Sequence, residues 1–418
     1  MVRQQEHVRV VVTGLGATTP LGGDVASTWS ALLAGKSGIR RLAGDWPADL
    51  PVRIGGLTAV DPASVVTRTE LRTMDRSTHL ALVAAREAWR DAGAPEVVPD
   101  RLGVSAGTAL GGYDSLLAGW GLLTTKSWRA MSPYTAPRVM PNSAADWIGI
   151  EIGARAGSHT SVGACASGAE AIAYGVEMIR SGRADVVLAG GTETPVTPVW
   201  GGMFSKMQAL SSCDDPEAAS RPFDRSRDGF VLAEGAGMIV LESAEHAARR
   251  GATEYAVAAG IGYSSDAYHI AVPQPDGSGL AAAMRRALAD ARLAPEQVVH
   301  VNAHATATRA GDVAEAAAIR SALGDAARGA LVTATKSMTG HMVGAAGAVE
   351  AIAAICALRA SLAPPTVNLG EPDADVVAFG LDIATDAREL RGGPGIRAAL
   401  TNSSGFGGHN VALAFTTE

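Results

Sequence analysis

Apolar runs with two different periods alternate along the whole chain. Val8–Thr13 is a β-branched run that reads as a buried strand, with Gly14-Leu15-Gly16 as the turn after it. Ser27–Ala34 reads as a short helix and Ser77–Ala92 as a longer one, stopped by Gly93. Leu102–Ser105 reads as a strand running into a glycine-rich loop, Gly107–Gly112. Leu116–Ser143 holds Pro133, Pro137 and Pro141 and reads as an irregular excursion between core elements. Thr160–Gly163 reads as a short strand or turn. Ile172, Ala173, Val176 and Ile179 then follow helical spacing, and Ser181-Gly182 ends that helix. Asp185–Ala189 is a buried-strand pattern capped by Gly190-Gly191, and Met238–Leu241 is another, followed by the polar helix Ser243–Arg250.

The plan then repeats. Tyr255–Gly260 resembles the opening strand, Leu280–Ala291 a helix, and Val298–Ala303 a strand running into a loop. Met338–Ala360 contains a long apolar helix. Ala398–Thr401 and Val411–Phe415 are strands on either side of Gly405-Phe406-Gly407-Gly408. Gly168-Ala169-Glu170-Ala171-Ile172 resembles Gly347-Ala348-Val349-Glu350-Ala351-Ile352 with one residue inserted. The pattern predicts an α/β protein of two similar halves, residues 1–251 and 252–418, sharing one packed body. Alternating strands and helices predict mostly parallel sheets covered on both faces.

Composition narrows the functions open to such a body. A chain of 418 residues can bury a large core without covalent staples. Charged residues make up only 18%, which implies that part of the surface is buried against another subunit. The formal net charge of −7 argues against nucleic acid as a main partner. Three cysteines, Cys165, Cys213 and Cys356, are not a disulfide framework and point to a reducing, cytoplasmic setting. Met1–Val12 does not read as a signal peptide, and no apolar run reaches the ~20 residues of a membrane helix. Gly14-Leu15-Gly16 lacks the rest of a dinucleotide fingerprint, and neither a phosphate-binding loop nor metal-ligand spacing is found.

A few segments carry candidate chemistry. Cys165 lies among small residues, with a helix starting just after it. The helix dipole there favours thiolate, and free backbone N–H groups can hold an oxyanion. An inert buried cysteine fits the same local pattern equally well. Cys213 reads as an exposed loop thiol and Cys356 as core. His304 ends a buried strand before a threonine-rich turn, and a satisfied structural histidine is the alternative. His341 precedes a very apolar helix, where burial favours neutral imidazole. Lys336 and Glu350 border the same apolar region and are a plausible pair, since a buried charge needs a partner. Gly405-Phe406-Gly407-Gly408 reads as a mobile loop with exposed N–H groups, or as an ordinary glycine-rich turn.

Taken together and in order, these segments resemble the β-ketoacyl-[acyl-carrier-protein] synthases, condensing enzymes of the thiolase superfamily. Further matching stretches are Arg221-Pro222-Phe223-Asp224, Asp228-Gly229-Phe230-Val231 and Glu234-Gly235-Ala236-Gly237. The resemblance runs from about Val8 to Phe415, is nearest the elongating type II enzymes, and has an actinobacterial character in Asn302-Ala303-His304-Ala305-Thr306. It implies a thiolase-like layered αβαβα fold. It implies Cys165 as the acyl-carrying nucleophile, His304 and His341 as the two site histidines, Lys336 as the nearby lysine and Glu350 as its holder. It implies Phe406 as a gate whose N–H joins that of Cys165 in the oxyanion hole. Phe204 would line the acyl pocket, and Thr306 and Thr308 would contact the phosphopantetheine arm.

The implied reaction is decarboxylative condensation of an acyl chain with malonyl-carrier protein in fatty-acid elongation, by a homodimer, with no metal or organic cofactor. The implied carrier protein is acidic, so a local basic patch is expected, with Arg68, Arg72 and Lys206 as candidates. Ala305 and Gly311 depart mildly from the family pattern. Ser404 stands where Phe is common, and Trp200-Gly201-Gly202 is unusual. These two departures raise an alternative, a ketosynthase subunit of a polyketide or polyene pathway paired with a homologous chain-length partner. A degradative thiolase would carry a second cysteine in the late glycine-rich loop, and a chain-length partner would lack Cys165.

Overall fold

The structure, a computed structural model, describes residues 8–44, 46–391 and 395–417. Residues 1–7 of the segment read above against a signal peptide lie outside the described residues. Eleven strands form one mixed sheet. They are β1 (Val10–Thr18), β2 (Leu102–Gly107), β3 (Ser158–His159), β4 (Val186–Glu193), β5 (Gly235–Ser243), β6 (Ala256–Ser265), β7 (Val298–Asn302), β8 (Leu331–Thr333), β9 (Asp382–Ile383), β10 (Ala398–Gly405) and β11 (His409–Thr416). Their spatial order is β9-β8-β7-β10-β11-β6-β1-β5-β4-β2-β3. The series β3-β2-β4-β5-β1 is repeated as β8-β7-β10-β11-β6, with β9 added at the edge. The two series join antiparallel at β1 and β6, where Val11 faces Val257.

The helices complete the layers. The main ones are α1 (Arg76–Asp91), α2 (Tyr113–Thr125), α3 (Ser143–Ile152), α4 (Ser167–Arg180), α5 (Pro198–Lys206), α6 (Ser278–Ala291), α7 (Arg309–Leu323) and α8 (Ala346–Ala360). α1 and α3 cover the outside of the first half, and α6 backed by α7 covers the second. α4 and α8 lie between, each touching strands of both halves. The layering is therefore α-β-α-β-α. The segment Val343–Ala360 is 83% buried, so its apolarity is that of a helix enclosed between the two halves of the sheet.

The expected parallel majority is corrected: five strand pairings are parallel and five antiparallel. The reason is local. In each half one strand, β5 or β11, runs against both of its neighbours, the β10–β11 hairpin requiring this in the second half, and the β1–β6 junction is the fifth antiparallel pairing.

Gly14-Leu15-Gly16 and Gly190-Gly191 lie inside strands β1 and β4 rather than in turns. A Cβ at Gly16 would collide with the Ala84 carbonyl of α1, and one at Gly262 of β6 with the Ala283 carbonyl of α6. Glycine here marks close strand–helix approach, at equivalent places in both halves. The excursion read as irregular contains α2 and the short helix Thr135–Val139. Its period was illegible because α2 buries little, Gly119 being its one buried residue. Thr160–Gly163 forms no strand and leads into a 3-10 turn, Ala164–Ala166.

Gly16→Ala and Gly262→Ala are each expected to lose about 1–3 kcal/mol through overpacking against helix backbone. Urea midpoints check this, and a wild-type midpoint for either variant contradicts the close-approach reading.

Candidate active site

The site forms where α4 and α8 begin. Cys165 sits in the 3-10 turn ahead of α4, after Ala164 at φ 51°, a left-handed conformation rare outside glycine. Ser167 knits this elbow together: its Oγ accepts from the Gly163 N–H at 3.0 Å and donates to the Ala164 carbonyl at 2.6 Å. His341 lies just before the turn Val343–Ala345 that opens α8. Its Nε2 is 3.1 Å from the Cys165 sulfur. The His304 ring meets the His341 ring edge-on, with centroids 5.4 Å apart. Lys336 Nζ lies 3.4 Å from His304 Nδ1 and pairs with the Glu350 carboxylate. The Lys336–Glu350 pairing expected from sequence is therefore present, with both side chains at most 2% exposed.

Burial governs the protonation of these groups. Both histidines are held well below the ordinary imidazole range, first by desolvation and next by the Lys336 charge. Both rings are neutral. An ammonium has no acceptor, so His304 Nδ1 accepts from Lys336 and Nε2 carries the His304 proton. Burial pushes the Cys165 thiol up to about 12, although Lys336 and the backbone N–H groups of Cys165 and Phe406 oppose it. The thiolate favoured by the helix dipole alone is thus corrected: desolvation outweighs the dipole. Burial likewise raises Glu350 to about 7, against the pull of Lys336.

A cavity of about 280 Å³ runs over this set, lined by Cys165, His304, His341 and Phe406, and further along by Thr306 and Thr308. The two threonine hydroxyls are 3.1 Å apart. Phe204 is buried in an aromatic row, its centroid 6.2 Å from Phe406, 5.3 Å from Phe230 and 5.6 Å from Trp200. Ser404 also lines the cavity; its Oγ donates to Asn410 Oδ1 at 2.8 Å, and Asn410 Nδ2 donates to Asp266 at 2.7 Å. The glycine-rich segment is a hairpin turn between β10 and β11, with Phe406 37% exposed.

Arg68, Arg72 and Lys206 are exposed, and none lines the cavity. Lys206 ends α5 beside Met207 and Gln208, which do line it. Arg68 and Arg72 lie on the short helix Arg68–Thr73, which contributes no lining residue. Cys213 is half-buried, and Cys356 packs against the core. No group of three or more metal-ligating side chains occurs among the described residues.

Two contributors escaped the sequence reading. Glu315 is buried and accepts from the backbone N–H groups of His304 at 2.8 Å and Ala305 at 2.6 Å, and from Asn402 at 3.1 Å. Its signal was a carboxylate on the buried face of the Ala-rich run that forms α7. Phe230 packs edge-on against His341 at 5.2 Å. It lay in a matching stretch, but nothing local marked it as part of the site.

A thiol at about 12 fixes one measurable consequence. Alkylation of Cys165 by iodoacetamide, followed on its own peptide, should rise about tenfold per pH unit from about pH 6 to 9 with no plateau. A plateau below about pH 8 contradicts the neutral resting thiol.

Comparison with known proteins agrees with this geometry. The family described as "Beta-ketoacyl synthase, N-terminal domain" matches residues 7–247, and "Beta-ketoacyl synthase, C-terminal domain" matches residues 255–370. The 3-oxoacyl-[acyl-carrier-protein] synthase 2 of Mycobacterium tuberculosis (strain H37Rv) is 45% identical over 97% of this chain and 96% of its own. The protein of that name from Coxiella burnetii is 41% identical over 98% and 99%. A type II polyketide ketosynthase solved with its acyl-carrier protein superposes with a TM-score of 0.88 at 32% identity, covering 98% of this chain and 99% of its own. The ishigamide ketosynthase/chain length factor gives 0.88 at 33% identity, covering 99% and 100%. With both domain models matched in order and full-length relatives above 40% identity, the chain belongs to the β-ketoacyl synthase family.

Proposed function

We propose that this chain elongates acyl chains as a β-ketoacyl-[acyl-carrier-protein] synthase, with Cys165, His341 and His304 as its reacting set. The observation that carries the reading is the 3.1 Å approach of His341 Nε2 to the Cys165 sulfur, with His304 beside it and held in one tautomer by Lys336.

In the first half-reaction the Cys165 thiol gives its proton to His341, and the sulfur attacks the acyl thioester. The N–H groups of Cys165 and Phe406 hold the oxyanion. The departing pantetheine sulfur takes the proton back, which leaves His341 neutral. In the second half-reaction malonyl thioester loses CO2. The enolate oxygen that forms accepts from Nε2–H of His304 and of His341. Acylation removes the sulfur's proton, so His341 Nε2 is then free to donate in the other tautomer. The enolate carbon attacks the Cys165 thioester carbonyl, and the cysteine sulfur leaves as thiolate and regains its proton from solvent, which restores the neutral thiol. Glu350 holds Lys336, Phe204 borders the acyl pocket, Phe406 gates it, and Thr306 and Thr308 meet the phosphopantetheine arm.

The carrier protein is proposed to dock at the cavity mouth. Met207 and Gln208 lie there beside Lys206. The net charge of −7 requires a local basic surface for an acidic partner, with Arg68 and Arg72 as further candidates. We propose a homodimer formed through the excursion around α2 and α3, where Trp120 is 62% exposed, Trp128 64% and Ile150 71%. The polar wall of Ser404, Asn410 and Asp266 and the fit to polyketide ketosynthases support the second reading, a specialised-pathway subunit with a homologous partner.

Cys165→Ala should abolish condensation while retaining malonyl decarboxylation. His341→Ala should lower decarboxylation by about 10²–10³-fold, the loss of one oxyanion donor. Normal condensation by the first variant, or undiminished decarboxylation by the second, contradicts the assigned roles. Light scattering on the purified chain should give twice the monomer mass. A monomer that dimerises only with a homologous subunit would instead establish the second reading.

A further inference from the structure

A pair of side chains outside the reacting set lies between the Cys165 elbow and the Phe406 hairpin. Glu170 lies in the first turn of α4, the helix that follows Cys165. His409 opens β11, directly after the turn Phe406-Gly407-Gly408. His409 Nε2 is 3.2 Å from Glu170 Oε2, with side chains 32% and 28% exposed. The two atoms lie within ion-pair distance, and the contact is ionic when the imidazole is protonated. Glu170 raises the His409 imidazole above its ordinary pKa against the opposing effect of burial.

The pair sits directly on the elbow. A Cβ at Gly163 would lie 2.5 Å from Glu170 Oε2 and 2.8 Å from His409 Cδ2. Gly405, opposite His409 in the hairpin register, approaches the same residue: a Cβ there would lie 2.5 Å from the Gly163 carbonyl oxygen and 3.3 Å from the Cys165 nitrogen. The far side of the turn is tied by Gly407 N–H to the Ile270 carbonyl at 2.7 Å, by Asp266 N–H to the Gly408 carbonyl at 2.8 Å and by Asn410 Nδ2 to the same Gly408 carbonyl at 3.2 Å. The Phe406 ring is partly exposed, so packing alone does not fix the turn.

We propose that Glu170 and His409 are positioning residues, whose pairing clamps the Phe406 hairpin onto the Cys165 elbow and sets the spacing of the two N–H groups of the oxyanion hole. This rests on the condensing function above. It adds a control on the acylation step that touches neither substrate nor sulfur.

The test compares Glu170→Gln, His409→Gln and the double variant with wild type in three measurements. They are acyl transfer from acyl-carrier protein to Cys165 by intact mass, alkylation of Cys165 by iodoacetamide, and amide hydrogen exchange of residues 404–409. Each single variant should lose about tenfold in the acylation rate, with KM for acyl-carrier protein within about twofold of wild type. The double variant should fall no further than about the worse single one, since both remove the same contact. Hairpin amides should exchange faster, while alkylation, which forms no oxyanion, should fall by less than the acylation rate does. Acylation within about twofold of wild type, or a multiplicative loss in the double variant, overturns the clamp. If wild type accepts no acyl group, the condensing reading fails instead. Hydrogen exchange then still decides the clamp, and unchanged exchange in Glu170→Gln overturns it.

Discussion

Helices α4 and α8 cross so closely that neither side of the contact has room for a side chain. A Cβ at Gly168 would lie 2.8 Å from the Gly344 carbonyl oxygen, and one at Gly347 would lie 2.8 Å from the Ala169 Cβ. Cys165 comes just before one helix and His341 just before the other, so this crossing sets the distance between them. Glu193, at the end of β4, braces the same point. Its buried carboxylate accepts from Thr108 Oγ1 at 2.8 Å, from the Ala109 N–H at 2.7 Å and from the Gly344 N–H at 3.0 Å. The repeated strand order matters here because it delivers one such helix from each half to the centre of the molecule.

Dryness at that centre has a cost and a use. Taking Lys336 and Glu350 out of water costs several kcal/mol per ion before their attraction offsets it. Apolar residues of similar volume would suit stability as well or better. What the lysine adds is a fixed proton position on His304 and a second reason for both imidazoles to stay neutral. The same burial keeps the Cys165 thiol protonated. On the proposed mechanism, reactivity then depends on an acyl thioester arriving next to the N–H donors of Cys165 and Phe406, which ties the chemistry to the placement of the Phe406 hairpin.

Much of this was legible in the sequence, for physical reasons that differ from place to place. Strongly buried strands such as Val186–Glu193 and amphipathic helices such as Ser167–Arg180 announced themselves through period. Their ends did not, because glycines that read as turns are strand positions pressed against neighbouring backbone, that of a helix at Gly16 and of strand β5 at Gly190. Helix α7 was missed although its face toward the core is well buried. Small alanines give a weak moment, and Asp312 and Glu315 on that face disguise it as polar. The segments carrying Cys165, His304, His341 and Lys336 were visible one by one, each with an ordinary structural alternative. Contact among them depends on residues far apart in sequence, and only the resemblance to a known family joined them beforehand. Even that resemblance left the resting charge of the thiol open, because desolvation belongs to the folded site.

The most direct test of this account is one assay on the purified protein alone. Acyl- and malonyl-carrier proteins of several chain lengths are supplied, and products are read by intact mass. The account predicts acylation of Cys165 followed by release of β-ketoacyl-carrier protein two carbons longer. Acylation at Cys165 with no elongated product would contradict a self-sufficient elongating enzyme and would point to a missing partner subunit.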